Sequence, residues 1–310
     1  MLRFVLILSF ALAISGSVLG QAAQRSLAER LGYSRDAKLL IVHADDLGMA
    51  HSVNAASIRG LESGQVNSAS IMVPCPWFPE IAEYARTHPS ADFGLHLTLT
   101  SEWPTIRWRP ITPKERVSSL FDPAGYLYST TAAAVAHLEP KQVEAELRAQ
   151  IDRAIASGVR PTHLDSHMFT LYDNKKLFEV ALRVARDYKL PLKVARDWFA
   201  RSPFMAEVIK PTDIVIDRTL TIEAQVAPER WAEFYTDALR GLQPGVTELI
   251  IHLAYDNDEM RAATLGHPEW GSAWRQREFN FFTSEAFQRL LEENHIKLIT
   301  WREIGRLQGR

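Results

Sequence analysis

Two adjacent carboxylates, Asp45 and Asp46, follow an apolar run and precede Gly48. Like charges at such short range resist joint ionisation, and a bound cation relieves that cost. The apolar run is typical of a buried strand in an α/β fold, where the carboxyl ends of the strands carry the functional site. The pair also fits a simpler interpretation, a helix N-cap followed by an acid in the first helical turn.

Histidines and one further aspartate interrupt three other apolar runs. His96 lies in FGLHLTL, His252 lies in LIIHL, and His163, Asp165 and His167 alternate in THLDSH. Alternate residues of a strand share one face, so any of the last three could reach a common centre. A single buried histidine is more often a hydrogen-bonded core residue than a ligand. Four strand ends with acids and imidazoles, however, favour a site for Zn²⁺ or a similar divalent ion.

Such a site indicates hydrolysis of an amide or an ester. A divalent ion held by two histidines and one aspartate leaves a position for water, lowers the pKa of that water and polarises a carbonyl. The remaining aspartate could accept the proton of the water, and another histidine could protonate the leaving group. The spacing alone does not say which histidines are the ligands.

The elements that must position these residues alternate between strands and helices. After the strand that begins at residue 39, the pattern predicts strands at 68–73, 93–99, 161–167, 190–194, 213–216, 248–253 and 297–301. It predicts helices at 51–62, 77–86, 139–157, 175–188, 228–239 and 284–294, and a terminal helix. This alternation is typical of a parallel sheet, and seven or eight βα units close a barrel. We therefore expect an α/β protein with a single irregular, TIM-like (βα) barrel.

The N-terminus and the composition restrict the possible partners and location. Arg3, an apolar run at 4–14 and a small polar stretch at 15–20 predict a signal peptide over residues 1–20, and the remaining 21–310 form one domain. We expect export to a periplasm or beyond the cell, without a stable membrane anchor; an uncleaved anchor is the alternative. The formal net charge of −2 gives no indication of nucleic-acid binding. Cys75 is the only cysteine, so no intrachain disulfide can form.

At these residues the sequence resembles the YdjC-like (ChbG/HpnK-type) carbohydrate deacetylases, the family of diacetylchitobiose deacetylase. The resemblance covers about residues 38 to 305 and is carried by five motifs, which are specific in combination. They are ADDLG (44–48), GLHLT (94–98), PTHLDSH (161–167), ELIIH (248–252) and, in the long loop, SLFDPAGY (119–126). The fold of the family is an irregular βα barrel, in agreement with the predicted elements.

The resemblance also implies roles for the polar residues. It implies that one divalent metal ion, zinc or magnesium, is held by Asp46, His96 and His167. Asp45 is then the general base and His252 is the acid that protonates the leaving amine. His163 and Asp165 would orient ligands or substrate. The implied substrate is an N-acetylated sugar or oligosaccharide, which would lose its acetyl group as acetate.

Other residues are candidates for substrate binding. A long polar stretch, residues 100–137, is expected to be a lid or a binding loop. Its Trp103, Trp108 and Tyr126 could stack against sugar rings, and the alternative is that the loop packs on its own aromatics. Arg275 and Arg277 could bind a charged substrate or the site carboxylates, and a surface or structural role is the alternative.

The sequence departs from the family pattern at four places. Leu47 replaces a phenylalanine, Leu253 replaces a proline, and the segment MFTL (168–171) stands where histidines often follow. The last change puts the chitobiose-type substrate in question more than the chemistry. The signal peptide is the fourth departure, since many relatives are cytoplasmic.

Two other functions compete with deacetylation. The first is another metal-dependent hydrolase such as a phosphoesterase, although two-metal phosphoesterases need more ligands and a basic clamp for phosphate. The second is a secreted sugar-binding protein that has kept the metal site without turnover. A homodimer is compatible with the predicted barrel.

Overall fold

The computed structural model describes residues 25–309. The predicted signal peptide at 1–20 lies outside the described residues, so export stays a prediction. None of the described helices combines the length and the apolar character that a membrane crossing requires.

Seven parallel strands within residues 25–309 form one curled sheet, as predicted. Their order is β4-β3-β2-β1-β6-β5, and β7 pairs with the first residues of β1. The strands are β1 (Lys38–Leu47), β2 (Ser68–Ile71), β3 (Phe93–Leu97), β4 (Leu164–Ser166), β5 (Arg218–Leu220), β6 (Gly245–Ile251) and β7 (Ile296–Leu298). Nine of the ten residues of β1 are buried, because β1 pairs with three strands and carries apolar side chains on both faces.

Two isolated bridges link the edges of this sheet into an irregular barrel. Leu192 bridges Leu164 of β4, and Ala195 bridges Ile216, which lies just before β5. The prediction of continuous strands at 190–194 and 213–216 is therefore wrong, because each segment contributes only one isolated bridge. Pro191 has no N–H to donate, and residues 210–213 turn around Asp213, which accepts a hydrogen bond from Arg186 Nε at 2.9 Å. The predicted α/β barrel is confirmed, with an irregular side.

Helices cover the outside of the sheet. They are α1 (Leu27–Arg30), α2 (His51–Glu62), α3 (Phe78–Thr87), α4 (Thr131–His137), α5 (Pro140–Ala156), α6 (Lys175–Tyr188), α7 (Phe204–Val208), α8 (Trp231–Arg240), α9 (Asp258–Ala263), α10 (Ser272–Phe282), α11 (Glu285–Glu293) and α12 (Trp301–Gly305). Short 3₁₀ turns occur at Ser118–Leu120, His167–Tyr172, Arg196–Ala200, Pro228–Arg230 and Arg306–Gln308.

Helices α5 and α10 bury different kinds of side chain. Helix α5 buries Val143, Leu147 and Ile151, whereas Ile155 is 48% exposed. Helix α10 was not predicted, because its apolar residues do not follow the helical period. It buries two charged side chains instead, Arg275 and Glu278, which face the barrel and its carboxylates.

Candidate metal centre

A bulge in β1 turns both adjacent carboxylates toward the carboxyl end of the barrel. Neighbouring residues of a regular strand point to opposite faces. Here the register between β1 and β2 shifts between Ala44 and Leu47, and Asp46 has a φ of 73°. Asp45 and Asp46 are therefore both buried beside His96. The N-cap interpretation is wrong, because Ala50 caps α2 without a side-chain hydrogen bond.

Asp46, His96 and His167 meet at one point, as the family resemblance implies. Three of their possible ligand atoms lie within 4.8 Å of one another. Asp46 Oδ1 is 3.5 Å from His96 Nε2 and 3.4 Å from His167 Nδ1. Asp46 Oδ1 and His167 Nδ1 are buried and make no hydrogen bond. Buried polar atoms without partners are costly, so this point fits a bound cation.

Both histidines are fixed by a carboxylate on the opposite ring nitrogen. His96 Nδ1 is 2.7 Å from Asp165 Oδ1, and His167 Nε2 is 2.9 Å from Glu102 Oε2. A carboxylate accepts hydrogen bonds, so these nitrogens carry the protons and the other nitrogen of each ring faces Asp46. Metal-binding histidines have this carboxylate partner as a rule. Sequence reasoning missed Glu102, which comes from the long loop and follows no strand.

The centre attracts positive charge. Burial opposes protonation of His167, but Glu102 and Asp46 outweigh it and raise the pKa of this ring to about 10. Burial likewise opposes ionisation of Asp46, but Arg275 and His167 hold the pKa of that carboxyl well below its usual value. The carboxylate is therefore ionised at neutral pH.

Arg275 contacts a site carboxylate, which is one of the three possibilities considered for it from the sequence. Its Nη2 lies 2.7 Å from Asp46 Oδ2, and the side chain is only 1% exposed. Asp46 thus offers one oxygen to the guanidinium and keeps the other for the centre. Arg277 has a different partner: its guanidinium lies 5.4 Å from the centroid of the Trp231 ring.

Asp45 is held differently from its neighbour. Its Oδ1 accepts a hydrogen bond from Ser70 Oγ at 3.1 Å and lies 3.0 Å from His43 Nε2. Its Oδ2 is 3.8 Å from His96 Nε2. Burial opposes ionisation of Asp45, but His96, Lys193 and the hydrogen bond from His43 hold its pKa below the usual value. Asp45 is an ionised carboxylate with one oxygen free of close donors.

A buried network of charges lies beneath the two aspartates. Lys193 Nζ is 3.2 Å from Asp165 Oδ2 and 3.0 Å from Glu248 Oε1, and His43 Nε2 is 3.3 Å from the same Asp165 oxygen. All four side chains are at most 2% exposed. Sequence reasoning missed His43, Lys193 and Glu248. The sequence did contain a signal, because each of these polar residues interrupts an apolar strand run. His43 also lies two residues before Asp45 and therefore on the same face of the strand.

The same network argues against a second metal ion. His43, His163 and Asp165 also bring possible ligand atoms within 4.8 Å of one another. The ammonium of Lys193, however, already provides the positive charge beside Asp165 and would repel a divalent ion there. His163 is fully buried, and its ring stacks on Trp301 with 5.0 Å between the ring centres. We interpret this cluster as support for the centre above it.

His252 is the first residue after β6, one position beyond the observed end of that strand. Its backbone N–H donates to Glu278 Oε2 at 2.6 Å, and its Nδ1 is 4.0 Å from the same oxygen. The side chain is 16% exposed. Burial lowers the pKa of His252 to about 4, and burial raises the pKa of Glu278 to about 7. The imidazole is therefore neutral at neutral pH.

The three aromatic residues predicted to stack on sugar are packed against other parts of the protein. Trp103 and Trp108 are each 3% exposed; Trp108 Nε1 donates to Thr100 O at 2.7 Å, whereas the Trp103 ring lies 5.4 Å from the ring of His267, outside the loop. Tyr126 lies beneath the guanidiniums of Arg107 and Arg109, at 4.9 and 5.2 Å. Trp108 and Tyr126 thus make contacts within the loop, as in the alternative interpretation, and Trp103 packs against a different loop. Stacking of these rings on a sugar stays a prediction.

Comparisons with known proteins agree on one family. The family model described as YdjC-like protein matches residues 39–293. A carbohydrate deacetylase from Thermus thermophilus is 35% identical over 285 residues, which cover 90% of this chain and 97% of the relative. One from Enterococcus faecalis is 40% identical over 159 residues, covering 51% and 59%.

A solved structure supports the same relationship. It is the crystal structure of an Enterococcus faecalis protein described as a candidate for cellobiose-phosphate cleavage. The two chains are 29% identical and superpose with a TM-score of 0.74, covering 86% of this chain and 99% of the other.

Proposed function

The chain belongs to the YdjC-like protein family, and from that membership we propose that it is a metal-dependent carbohydrate deacetylase. One observation carries the proposal. His96 and His167 each bind a carboxylate through one ring nitrogen and direct the other toward Asp46 Oδ1. This is the arrangement that a catalytic metal ion with three protein ligands requires.

Asp46, His96 and His167 would hold the ion. Two imidazoles and one carboxylate favour zinc over magnesium, which prefers oxygen ligands in octahedral geometry. When bound, a divalent ion would activate water and polarise the carbonyl of an acetamide. Asp165 and Glu102 occupy the far nitrogens of the two histidines, so each ring would offer only its near nitrogen to the ion.

Asp45 and His252 would move the protons. Asp45 Oδ2 is ionised and free of close donors, so it can take a proton from the attacking water. His252 would deliver a proton to the amide nitrogen as the bond between carbon and nitrogen breaks, because an unprotonated amine is a poor leaving group. Since His252 is neutral before the reaction, it would receive the proton that Asp45 takes from water and pass it on to the nitrogen. The proton lost by water and the proton gained by the amine balance.

The substrate and the location follow from different observations. The sugar substrate is proposed because the curated relatives are carbohydrate deacetylases. Export is proposed because residues 1–20 have the pattern of a signal peptide. An exported enzyme of this kind would act on N-acetylated glycans or oligosaccharides outside the cytoplasm.

The direct test is acetate release by the mature protein from a panel of N-acetylated mono- and oligosaccharides. Each assay is run after chelation and again after addition of Zn²⁺, Mg²⁺ or Mn²⁺. We expect acetate only with metal, and none from the Asp45→Asn variant. Release of phosphate from phosphorylated disaccharides, with no acetate from any N-acetylated sugar, would contradict the proposal and favour a phosphoesterase. Sugar binding without any turnover would favour the binding protein.

A further inference from the structure

Three exposed aromatic side chains lie on three different loops that follow strands of the barrel, at the end that carries the candidate metal centre. Trp77 follows β2, Phe169 follows β4 and Trp270 lies between β6 and α10; they are 39%, 44% and 36% exposed. Among the described residues six large hydrophobic side chains are exposed, and five of them lie on these loops. The sixth, Ile155, lies on α5. Exposed apolar side chains are thus concentrated where the carboxyl ends of the strands open.

Each of these aromatic residues is linked to the centre through one hydrogen bond, through a few residues of chain, or through both. The Trp77 N–H donates to Gly48 O at 2.9 Å, and Gly48 is two residues after Asp46. Phe169 is two residues after His167. The carbonyl of Trp270 accepts a hydrogen bond at 2.6 Å from Arg275 Nε, and the same guanidinium binds Asp46. The three residues, which we call the rim, are therefore all attached to segments that carry or hold the residues of the centre.

The backbone at two rim positions is in a conformation that side chains with a Cβ rarely adopt. Phe169 has a φ of 56° and Trp270 has a φ of 54°. Met168 has a φ of 50°, and its carbonyl is held by Thr131 Oγ1 at 3.0 Å. Strained backbone of this kind persists where the surrounding structure enforces it, and it concentrates at functional sites. Here it presents an aromatic side chain to solvent.

A second ring braces each rim ring. Phe169 lies edge-on to Trp198 at 5.3 Å, Trp270 stacks on the buried Trp274 at 5.0 Å, and Trp77 lies 5.2 Å from the ring of His51. A braced ring loses little conformational freedom when a ligand binds, so these aromatic faces are pre-organised.

We propose that Trp77, Phe169 and Trp270 bind the sugar rings that flank the acetylated unit of the substrate. The apolar C–H face of a pyranose can cover an aromatic face that is otherwise exposed to water, while the hydroxyl groups remain solvated. The inference rests on the proposed function and assigns these three residues to the binding of rings beyond the acetylated unit. A monosaccharide would occupy the centre without covering the rim.

The test separates the rim from the centre by substrate length. We would measure kcat and KM for N-acetylglucosamine and for its β-1,4-linked dimer, trimer and tetramer. Phe169→Asn and Trp270→Asn remove the ring and keep a residue that tolerates left-handed backbone; Trp77→Ala completes the set. Each variant should raise KM for the longer saccharides about three- to tenfold and leave kcat within twofold. Activity on the monosaccharide should be unchanged, Phe169→Tyr should restore KM, and the exposed control Ile155→Ala should have no effect.

Equal losses for the monosaccharide and the tetramer, or no loss for any substrate, would overturn the inference. Direct calorimetry of the tetramer with the metal-loaded protein separates this result from a failure of the proposed function. If no acetate is released, weaker tetramer binding by the three variants still supports the rim. Unchanged tetramer binding together with reduced adsorption to phosphatidylcholine vesicles would assign these rings to a lipid surface instead.

Discussion

Asp45 and Asp46 are neighbours in the sequence, and both approach the same atom, His96 Nε2, at 3.8 and 3.5 Å. The bulge in β1 and the left-handed backbone of Asp46 make this possible. The two carboxylates then differ in their partners. Asp46 binds Arg275 through one oxygen and leaves the other unpaired, whereas Asp45 is held by Ser70 and His43. This difference is the structural basis for separate roles as ligand and base.

Replacing Asp45 should slow turnover by orders of magnitude without removing the metal. Asp45→Asn keeps the shape and the hydrogen bond from Ser70 but cannot accept a proton from water. We expect kcat to fall by about 10²- to 10⁴-fold, the usual contribution of a general base. Acetate release at saturating substrate measures kcat, and calorimetric titration with Zn²⁺ should give a Kd close to that of the wild type. Retained kcat would exclude Asp45 as the base.

Glu102 should control metal affinity through His167, although it lies outside the three proposed ligands. Without the carboxylate on Nε2 the imidazole loses its fixed orientation and its basicity. Glu102→Ala should weaken metal binding by about 10- to 100-fold, and Glu102→Gln, which keeps an acceptor, should weaken it less. The exposed Glu115 of the same loop is the matched control. Equal affinities for Glu102→Ala and Glu115→Ala would contradict this role.

Lys193 should stabilise the folded protein, because it is the buried cation between Asp165 and Glu248. Lys193→Met leaves both carboxylates without that charge and should cost about 3–5 kcal/mol in the free energy of unfolding. The double variant Lys193→Met with Glu248→Gln should recover part of the loss, because it removes one of the uncompensated charges. Urea unfolding curves measure both. A loss below about 1 kcal/mol for Lys193→Met would show that the folded protein does not depend on a buried cation between Asp165 and Glu248.

Much of the site could be predicted from sequence, because strand ends are local features. An acid or an imidazole that interrupts an apolar run, such as His96 or Asp165, is visible without a structure. The alternation of strands and helices then brings such ends together. Only the family resemblance, however, assigned Asp46, His96 and His167 to the metal, since spacing left the ligands open.

The remainder depends on contacts between residues far apart in the chain. Glu102 reaches His167 across 65 residues, and Arg275 reaches Asp46 across 229. No periodicity marks such partners. The bulge at Asp45 and Asp46 is equally invisible, because it is set by the register with β2. The exposed aromatics were missed for a related reason, since Trp103 and Phe169 look alike in sequence, and only packing buries the first and exposes the second.

Glu278 should make stability depend on pH with a defined sign. Burial raises its pKa from 4.5 to about 7, so the folded protein holds this proton between those values while the unfolded chain releases it. The resulting stabilisation is fully present below pH 4.5 and is lost as the pH rises through 7, by up to about 3 kcal/mol.

Unfolding free energies of the wild type and of Glu278→Gln, measured from pH 4.5 to 8, test this sign. The wild type should lose stability relative to the variant as the pH rises. His252 contributes in the opposite direction, because burial lowers its pKa to about 4, below the usual 6.5 of a histidine. Because His252 Nδ1 lies 4.0 Å from Glu278 Oε2, both proteins are measured in the His252→Gln background, where the difference between them isolates Glu278. A difference that does not change with pH would contradict the assignment.

The most direct test of the proposed metal centre is the metal content of four variants. After loading with Zn²⁺ and dialysis, we expect about one ion per chain in the wild type and in Asp45→Asn. Asp46→Asn, His96→Gln and His167→Gln should each retain far less. Full metal content in the three ligand variants, or its loss in Asp45→Asn alone, would contradict the proposed centre.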